Sequence, residues 1–438
     1  MSELPTISAS AIDVAKIRCV DRTLDNGLRA ILVRDPRVPS VAINVAYHVG
    51  GKDDPPGRSG FAHLFEHLMF KGTSRTVPET MDRLTEDVGG FNNAFTTEDI
   101  TNYYEVVPSN HLERLLWAEA DRLASLTVNE ANFATERDVV IGEYDQRILA
   151  EPYGMLDELV NREAYTVHPY RRGVIGSPSE LRAASLDDVV AFHATYYRPD
   201  NALLVVAGDL DVDETLRWIE RWFGPIRTPS EAIPRVDVVE PVQTAERTYT
   251  YSAANVPLPA AEEAYHIPAA AHPDAAALEV LEMVLGGGRS SRLYTSLVYR
   301  KQVAASAYVA TDTREQPGLF NVRVTSARGV ELATARAALT EELDLVRAEP
   351  PGEAELARAR TQIATSVVRS RQTNSGVAQE LVRATTERGD PEVANEDLAR
   401  YLAVTGDDVL RVARTYLVAE NRTSIEYLSP SARSGRTE

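Results

Sequence analysis

Two histidines and a glutamate lie close together in the segment His63-Leu-Phe-Glu66-His67. On a helix, residues four apart share one face, so both imidazoles can approach a single metal ion. Glu66 projects near the same face. Imidazole ligands suit zinc, and a catalytic zinc keeps one position open for a water that a nearby carboxylate can deprotonate. The spacing therefore predicts metal-assisted hydrolysis, with Glu66 as the general base.

The motif also has an ordinary alternative. The chain holds 8 histidines and 65 acidic residues among 438, and chance alone would give about 0.02 matches to this spacing. The alternative is a pair of helix histidines that only hydrogen-bond within the fold. A zinc centre needs a third protein ligand, which the segment does not contain.

The third ligand has to come from elsewhere in the chain. The remaining histidines form no second tight cluster; they are His48, His111, His168, His193, His266 and His272. A carboxylate is the other option. Glu136 and Glu143 are seven residues apart in a segment that we predict to be helical from about 129 to 150, so they share a face. One could bind the metal while the other supports the site, and the alternative is a solvated helix face.

Hydrophobic patterning predicts the elements that position these residues. The metal segment is expected on a helix from about 60 to 70, between paired strands on either side. Predicted strands are 28–33, 40–48, 91–97, 102–107 and 202–207, and predicted helices include 78–88, 112–126 and 213–223.

After a proline-rich stretch a similar order of elements restarts, with strands at 247–251, 263–267 and 320–325 and helices at 274–285, 331–349 and 352–371. This order predicts a duplicated α+β unit, although any α+β chain looks roughly periodic. Residues 1–225 form the unit with the metal segment. A linker spans 226–244, and a second unit without the motif spans 245–438.

Composition narrows the partners and the compartment. Lys plus Arg is 46 and the net charge is −19, so nucleic acid and anionic membranes are unfavourable partners. Cys19 is the single cysteine, which suits a reducing compartment. We see no secretory signal and no apolar run long enough to span a membrane. Cytoplasmic residence is the expectation.

With its motifs taken together, the chain resembles the pitrilysin and mitochondrial processing peptidase family of zinc metallopeptidases, the inverzincins. The resemblance covers nearly the whole chain. The matching blocks are 50–73, 89–104, 136–143, 168–170, 197–201 and 286–293. It implies a zinc-dependent endopeptidase that hydrolyses peptides or unfolded segments. It also implies an α+β fold of two homologous α/β sandwich units, joined by a linker, that form half of a clam-shell chamber.

The resemblance also implies roles for individual residues. His63, His67 and Glu143 would bind one zinc ion per chain, Glu66 would be the catalytic base, and Glu136 would support the ligands from behind.

Substrate binding is implied for a further segment. Asn93, Ala94 and Phe95 would lie on an edge strand that pairs with the substrate backbone.

The second half departs from the motif. Aligning the glycine segments that end the two corresponding helices places Leu278, Leu281 and Glu282 at the positions of the three motif residues. This half cannot repeat the zinc chemistry.

A second departure concerns the oxyanion. In the resembled family the second unit normally supplies an arginine and, seven residues later, a tyrosine that hold the substrate and stabilise the oxyanion. Val298 and Ala305 stand at those positions, and a shifted register would use Arg300 and Tyr308, whose spacing is eight. The resemblance thus points to the zinc-bearing subunit of a bacterial two-subunit enzyme, whose homologous partner without zinc supplies the pair. The alternatives are a self-sufficient homodimer and a non-enzymatic scaffold subunit.

Overall fold

The computed structural model describes residues 14–429, and these contain two β-sheets. The strands of the first are β1 (Val20–Thr23), β2 (Arg29–Arg34), β3 (Ser40–Tyr47), β4 (Phe91–Thr96), β5 (Thr101–Pro108) and β6 (Ala202–Gly208). The strands of the second are β7 (Arg247–Ser252), β8 (Ala260–His266), β9 (Ala304–Asp312), β10 (Leu319–Ser326) and β11 (Arg422–Leu428).

Helices pack on both sheets. Those in the first half are α1 (Phe61–Leu68), α2 (Thr80–Glu86), α3 (Leu112–Ser125), α4 (Glu130–Tyr144), α5 (Gly154–Ala164), α6 (Pro178–Ala183), α7 (Leu186–Tyr196) and α8 (Val212–Phe223). Those in the second half are α9 (Ala275–Gly286), α10 (Leu332–Ala348), α11 (Glu353–Ser370), α12 (Asn374–Arg388), α13 (Ala394–Ala403) and α14 (Gly406–Tyr416). No helix between residues 14 and 429 is long and apolar enough to cross a bilayer.

The two sheets repeat one topology. The first runs β1-β2-β6-β3-β5-β4 and the second runs β7-β11-β8-β10-β9. Apart from β1, each strand has a counterpart at the same place, and the parallel pairs β2–β6 and β7–β11 coincide. The predicted α+β fold with two repeated units is confirmed. In each unit the strand after the motif helix or its counterpart, β4 or β9, lies at the edge.

One helix from each half of the sequence packs on the sheet of the other half. Helix α12 packs Val377 and Leu381 against Ile31 and Val205 of the first sheet, on the face opposite α1. Helix α5 covers the second sheet in the same manner, with Leu156, Leu159 and Val160 in one cluster with Ala264 and Ile425. The packing units therefore do not coincide with the two halves of the sequence.

Several elements differ from the predictions. The helix predicted for 129–150 ends at Tyr144, continues as a π-helical turn over Asp145–Ala150 and is followed by α5. Strands β1, β9 and β11 were not predicted. Strand β9 is rich in alanine, which has little strand preference but fits a tightly packed sheet. Residues 224–246 contain neither helix nor strand. The unit boundaries stay a prediction, and their outer ends lie outside the described residues.

Candidate metal centre

Helix α1 is fixed at its first turn. The Asp54 carboxylate, buried at 3% exposure, accepts hydrogen bonds from the backbone N–H groups of Gly60 and Ala62 at 2.6 and 2.9 Å. These N–H groups have no partner within the helix, so the carboxylate both satisfies them and favours the positive end of the helix dipole. Gly60 has φ +91°, and a Cβ there would lie 2.4 Å from the carbonyl oxygen of Ile175. The start of α1 therefore tolerates little displacement.

Helix α4 packs against α1 and carries the two glutamates. Asn129 caps it, with a side chain that accepts hydrogen bonds from the N–H groups of Ala131 and Asn132. Glu136 and Glu143, two turns apart on α4, both face His67.

The structure brings His63, His67 and Glu143 together. Glu143 Oε2 lies 3.7 Å from His63 Nε2 and 3.4 Å from His67 Nε2, and one ligand atom from each of the three residues lies within 4.8 Å of the others. Tetrahedral zinc with bonds of 2.0–2.2 Å separates its ligands by about 3.4 Å. The three groups therefore fit one zinc ion in chemistry and in spacing.

The carboxylates of Glu136 and Glu143 each pair with a cation, Lys71 and Arg147 respectively. Glu136 lies with Oε2 3.6 Å from His67 Nδ1 and Oε1 3.0 Å from Lys71 Nζ. Arg147 lies with Nη1 3.0 Å from Glu143 Oε1. A carboxylate at Nδ1 fixes the ring so that Nε2 is the metal-facing nitrogen, which is a common arrangement behind zinc-binding histidines.

Glu66 lies beside this cluster at the edge strand. Thr96, the last residue of β4, donates its hydroxyl to Glu66 Oε2 at 2.6 Å. Burial raises the pKa of Glu66, and the Thr96 hydrogen bond opposes that shift. The carboxylate is thus held at the strand with basicity suited to accepting a proton.

The two imidazoles are in different electrostatic environments. Burial and the neighbouring His67 lower the pKa of His63 to about 4. Burial alone would also lower the pKa of His67, but Glu136, Glu143 and Glu66 raise it to about 9. His63 is therefore a neutral imidazole, the form that binds metal, and the carboxylates around His67 favour positive charge.

These residues open onto a cleft of about 1040 Å³. Its lining runs from His63 to Ile175 along the chain and includes Asn93, Ala94 and Phe95 on β4. Strand β4 pairs only with β5 in the described sheet, so its outer edge carries unpaired backbone groups. The predicted substrate strand thus faces the predicted metal site.

The four residues at the candidate oxyanion-stabilising positions lie apart from this cleft. Val298 is half-buried against the second hydrophobic core, and Ala305 is exposed on β9. Tyr308 is 55% exposed on β9, opposite Arg323. Arg300 is also exposed, and none of the four lines the cleft.

The second half has a comparable cleft at the corresponding place, of about 460 Å³, between α9 and α11. Its α9 lining is Glu279, Glu282 and Met283, spaced like the three motif residues on α1. Glu282 Oε2 accepts from the Thr311 N–H of edge strand β9 at 2.9 Å, as Glu66 accepts from β4. The alignment that placed Leu278 and Leu281 at motif positions is therefore wrong by one residue. Both leucines are fully buried in the core.

Sequence comparison places the chain in a family. A model described as "Insulinase (Peptidase family M16)" matches residues 29–177, and one described as "Peptidase M16 inactive domain" matches residues 183–363. The chain belongs to peptidase family M16. The resemblance to pitrilysin-like and mitochondrial processing peptidases is thereby confirmed. The match to the inactive-domain model begins before α7 and therefore includes β6 and α8. Both of these elements nevertheless pack with the first sheet.

Relatives of this M16 chain carry peptidase names. "Zinc protease PqqE" of Helicobacter pylori is 29% identical over 410 residues, covering 93% of this chain and 92% of that protein. "Probable mitochondrial-processing peptidase subunit beta, mitochondrial" of Arabidopsis thaliana is 25% identical, covering 90% and 75%. The crystal structure of a protease from Helicobacter pylori matches with a TM-score of 0.91 and 27% identity, covering 94% of this chain and 100% of that one.

Some neighbours of the metal centre were not singled out in the sequence. Arg147 lies four residues after Glu143, and this helical spacing could have predicted the ion pair between them. Asp54 and Thr96 reach the site only through the fold. No local pattern connects either residue with α1.

Proposed function

We propose that this M16 chain is a zinc-dependent endopeptidase. His63, His67 and Glu143 are the metal ligands, Glu66 is the general base, and Glu136 holds His67 in position. The observation that carries the proposal is the convergence of two Nε2 atoms and one carboxylate oxygen at tetrahedral ligand spacing. The family and the names of its relatives support zinc and proteolysis.

The chain's own residues account for the proton transfers. Zinc bound at this site supplies Lewis acidity and activates water for attack. Glu66, oriented by Thr96, accepts the proton of the attacking water and then donates it to the leaving amine. The free edge of β4 at Asn93 and Ala94 pairs with the peptide backbone. Backbone pairing favours extended or unfolded peptides within an enclosed chamber, of which this chain forms half.

We further propose a homologous partner subunit without zinc. Val298 and Ala305 cannot hydrogen-bond through their side chains, and Tyr308 and Arg300 do not line the cleft. Losing one oxyanion donor costs a factor of about 10²–10³ in rate. A heterodimer in which the partner provides an arginine and a tyrosine supplies the missing donors. The subunit named in the Arabidopsis relative is consistent with this organisation.

The test is zinc content and hydrolysis of a quenched peptide library, measured on the purified chain and on the chain co-expressed with a relative that carries the arginine–tyrosine pair. We expect one zinc per chain in both samples and strong activity only in the mixture. Glu66→Gln, co-expressed in the same way, is the matched inactive control.

Other outcomes select the alternatives. Full activity of the lone chain would support a self-sufficient homodimer and end the heterodimer proposal. An absence of zinc and of activity in both samples would favour the scaffold subunit. We also propose cytoplasmic residence, consistent with the single cysteine, and cell fractionation of the native protein tests it.

A further inference from the structure

A separate cavity of about 330 Å³ lies where the two halves meet. It is enclosed by the tip of the β4–β5 hairpin, the tip of the β9–β10 hairpin and one face of α12. We call it the junction cavity and define it by Phe95, Asn102, Asp312, Arg314, Arg383 and Glu387. Its size is at the lower end of the range for small-ligand pockets, about 300–1,000 Å³.

The junction cavity adjoins the metal cleft. Phe95 lines both and is therefore the wall between them. It is the residue before Thr96, whose hydroxyl holds Glu66. Side chains in a strand follow one another at about 3.3 Å per residue. A peptide paired with β4 and cleaved beside Glu66 can thus reach the cavity with a side chain close to the scissile bond.

Charged contacts hold the walls of the cavity, and two of them join the two halves. Arg314, only 4% exposed, pairs with Glu98 of the first hairpin at 3.0 Å and with Asp312. The Glu315 N–H donates to Asp99 Oδ2 at 2.9 Å, and Lys52 pairs with Asp99 at 2.8 Å. The Arg314–Glu98 pair and the Glu315–Asp99 hydrogen bond join the two halves, so the cavity is a defined space rather than a gap between mobile loops.

One buried side chain in this cavity has no partner. Asn102 is 0% exposed, and neither its amide nitrogen nor its amide oxygen makes a hydrogen bond with residues 14–429. Leaving a buried polar group unsatisfied costs about 1–3 kcal/mol, so such groups normally bond to a ligand or an ordered water. The amide oxygen requires a donor.

The charge of the lining specifies which donor. Five lining residues are acidic (Glu98, Asp99, Asp312, Glu315 and Glu387), whereas two are arginines. Glu387 makes no hydrogen bond or salt bridge with the described residues, and burial raises its pKa to about 7. Arg383 and Arg388 oppose that rise in pKa but form no salt bridge with the carboxylate, whereas Glu98 pairs directly with Arg314 and Asp99 with Lys52. A cationic group with several N–H donors would satisfy both Asn102 and Glu387.

We infer that the junction cavity is a specificity pocket that binds a lysine or arginine side chain of the peptide held along β4. The inference rests on the proposed peptidase function, since it needs a peptide in that position. It assigns a binding role to Asn102 and Glu387, on the face of the first sheet opposite α1.

The test uses a series of neutral quenched peptides in which one lysine is moved along the sequence, each compared with norleucine at the same position. The enzyme is the active form, either the chain or the chain with its partner. We expect one position at which lysine raises kcat/KM about tenfold over norleucine, which corresponds to about 1.4 kcal/mol. Glu387→Gln should reduce that preference severalfold, and Asn102→Leu should reduce it as a second variant.

The matched control is Glu220→Gln, the same charge change at an exposed glutamate on α8, which should keep the full preference. Thermal melting shows whether each variant is folded. Equal hydrolysis of lysine and norleucine peptides at every position would overturn the inference. A lysine preference that survives in folded Glu387→Gln and Asn102→Leu would also overturn it, since another site would then bind the cation.

A binding measurement separates this inference from the proposed function. Fluorescence anisotropy of labelled peptides with Glu66→Gln, measured with and without added zinc, reports lysine preference without hydrolysis. If the wild-type chain binds no zinc and cleaves nothing, the peptidase proposal fails. The anisotropy of lysine against norleucine peptides, with and without Glu387→Gln, still decides the cavity.

Discussion

The two halves hold comparable clefts with different contents. In the first, α1 presents His63, Glu66 and His67, and α4 adds Glu143. In the second, α9 presents Glu279, Glu282 and Met283 at the same spacing. The facing helix α11 lines the cleft with Gln362, Ile363, Ser366, Val367 and Ser370, among which there is no carboxylate.

Both halves share one contact between a helix and the edge strand. A glutamate of the helix accepts a hydrogen bond from the edge strand in both halves, at Thr96 and at Thr311. This contact is therefore compatible with the fold whether or not a metal site is present. The histidines and Glu143 are what distinguish the first cleft. The comparison predicts that equivalent substitutions have very different effects in the two halves.

The largest expected effect is at Glu66. Glu66→Gln removes the proposed proton acceptor and should lower kcat/KM by about 10²–10⁴, with zinc content unchanged, because Glu66 is not among the proposed ligands. The matched change in the second half, Glu282→Gln, should leave kcat/KM within a few-fold. Peptide hydrolysis and metal analysis check both. Equal losses of kcat/KM in the two variants would contradict the expected difference between the two clefts.

Removal of a proposed metal ligand should have the next largest effect. His67→Ala should lose zinc, whereas Met283→Ala at the corresponding position should keep it. A ligand present at 100 times its Kd stabilises the folded state by about 2.7 kcal/mol, so a chelator should lower the melting temperature of the wild type and of Met283→Ala. The chelator should not change that of His67→Ala. Retention of stoichiometric zinc by His67→Ala would contradict the assigned ligand set.

A smaller effect is expected behind the ligands. Glu136→Gln removes the charge that faces His67 Nδ1 and should weaken zinc binding by about 10–100-fold. Competition with a coloured chelator measures this. Glu130→Gln, an exposed glutamate at the start of the same helix, is the control and should bind zinc like the wild type. An unchanged zinc affinity in Glu136→Gln would remove Glu136 from the site.

The smallest effect is expected where the two helices begin. Asp54→Ala leaves the N–H groups of Gly60 and Ala62 without their acceptor and should cost about 1–3 kcal/mol of unfolding free energy. Because α1 carries two of the proposed ligands, zinc affinity should fall as well. Asp274, which starts α9, is held instead by Arg411 and Tyr416 at 2.7 and 2.8 Å. Asp274→Ala should lower stability without changing zinc affinity, and denaturation with zinc titration compares the two.

Much of the fold was readable from local patterns. The helix predicted at 60–70 is α1 over Phe61–Leu68, and the strands predicted at 91–97 and 102–107 are β4 and β5. In these segments apolar and polar residues alternate clearly, or a glycine ends the segment. Local preference and final structure therefore agree. Strand β9 was missed because its alanines and serine carry little local signal, and its pairing with β10 decides its conformation.

The sequence by itself determined that two histidines and a glutamate share one helical face, because that depends only on the period of a helix. It left the third ligand open, since Glu136 and Glu143 lie on one face of a helix some 70 residues away. Only the packing of α4 on α1 placed Glu143 Oε2 near both imidazoles and Glu136 behind His67. The exchange of α5 and α12 and the junction cavity were likewise decided by tertiary structure, because contacts between residues hundreds of positions apart leave no local pattern.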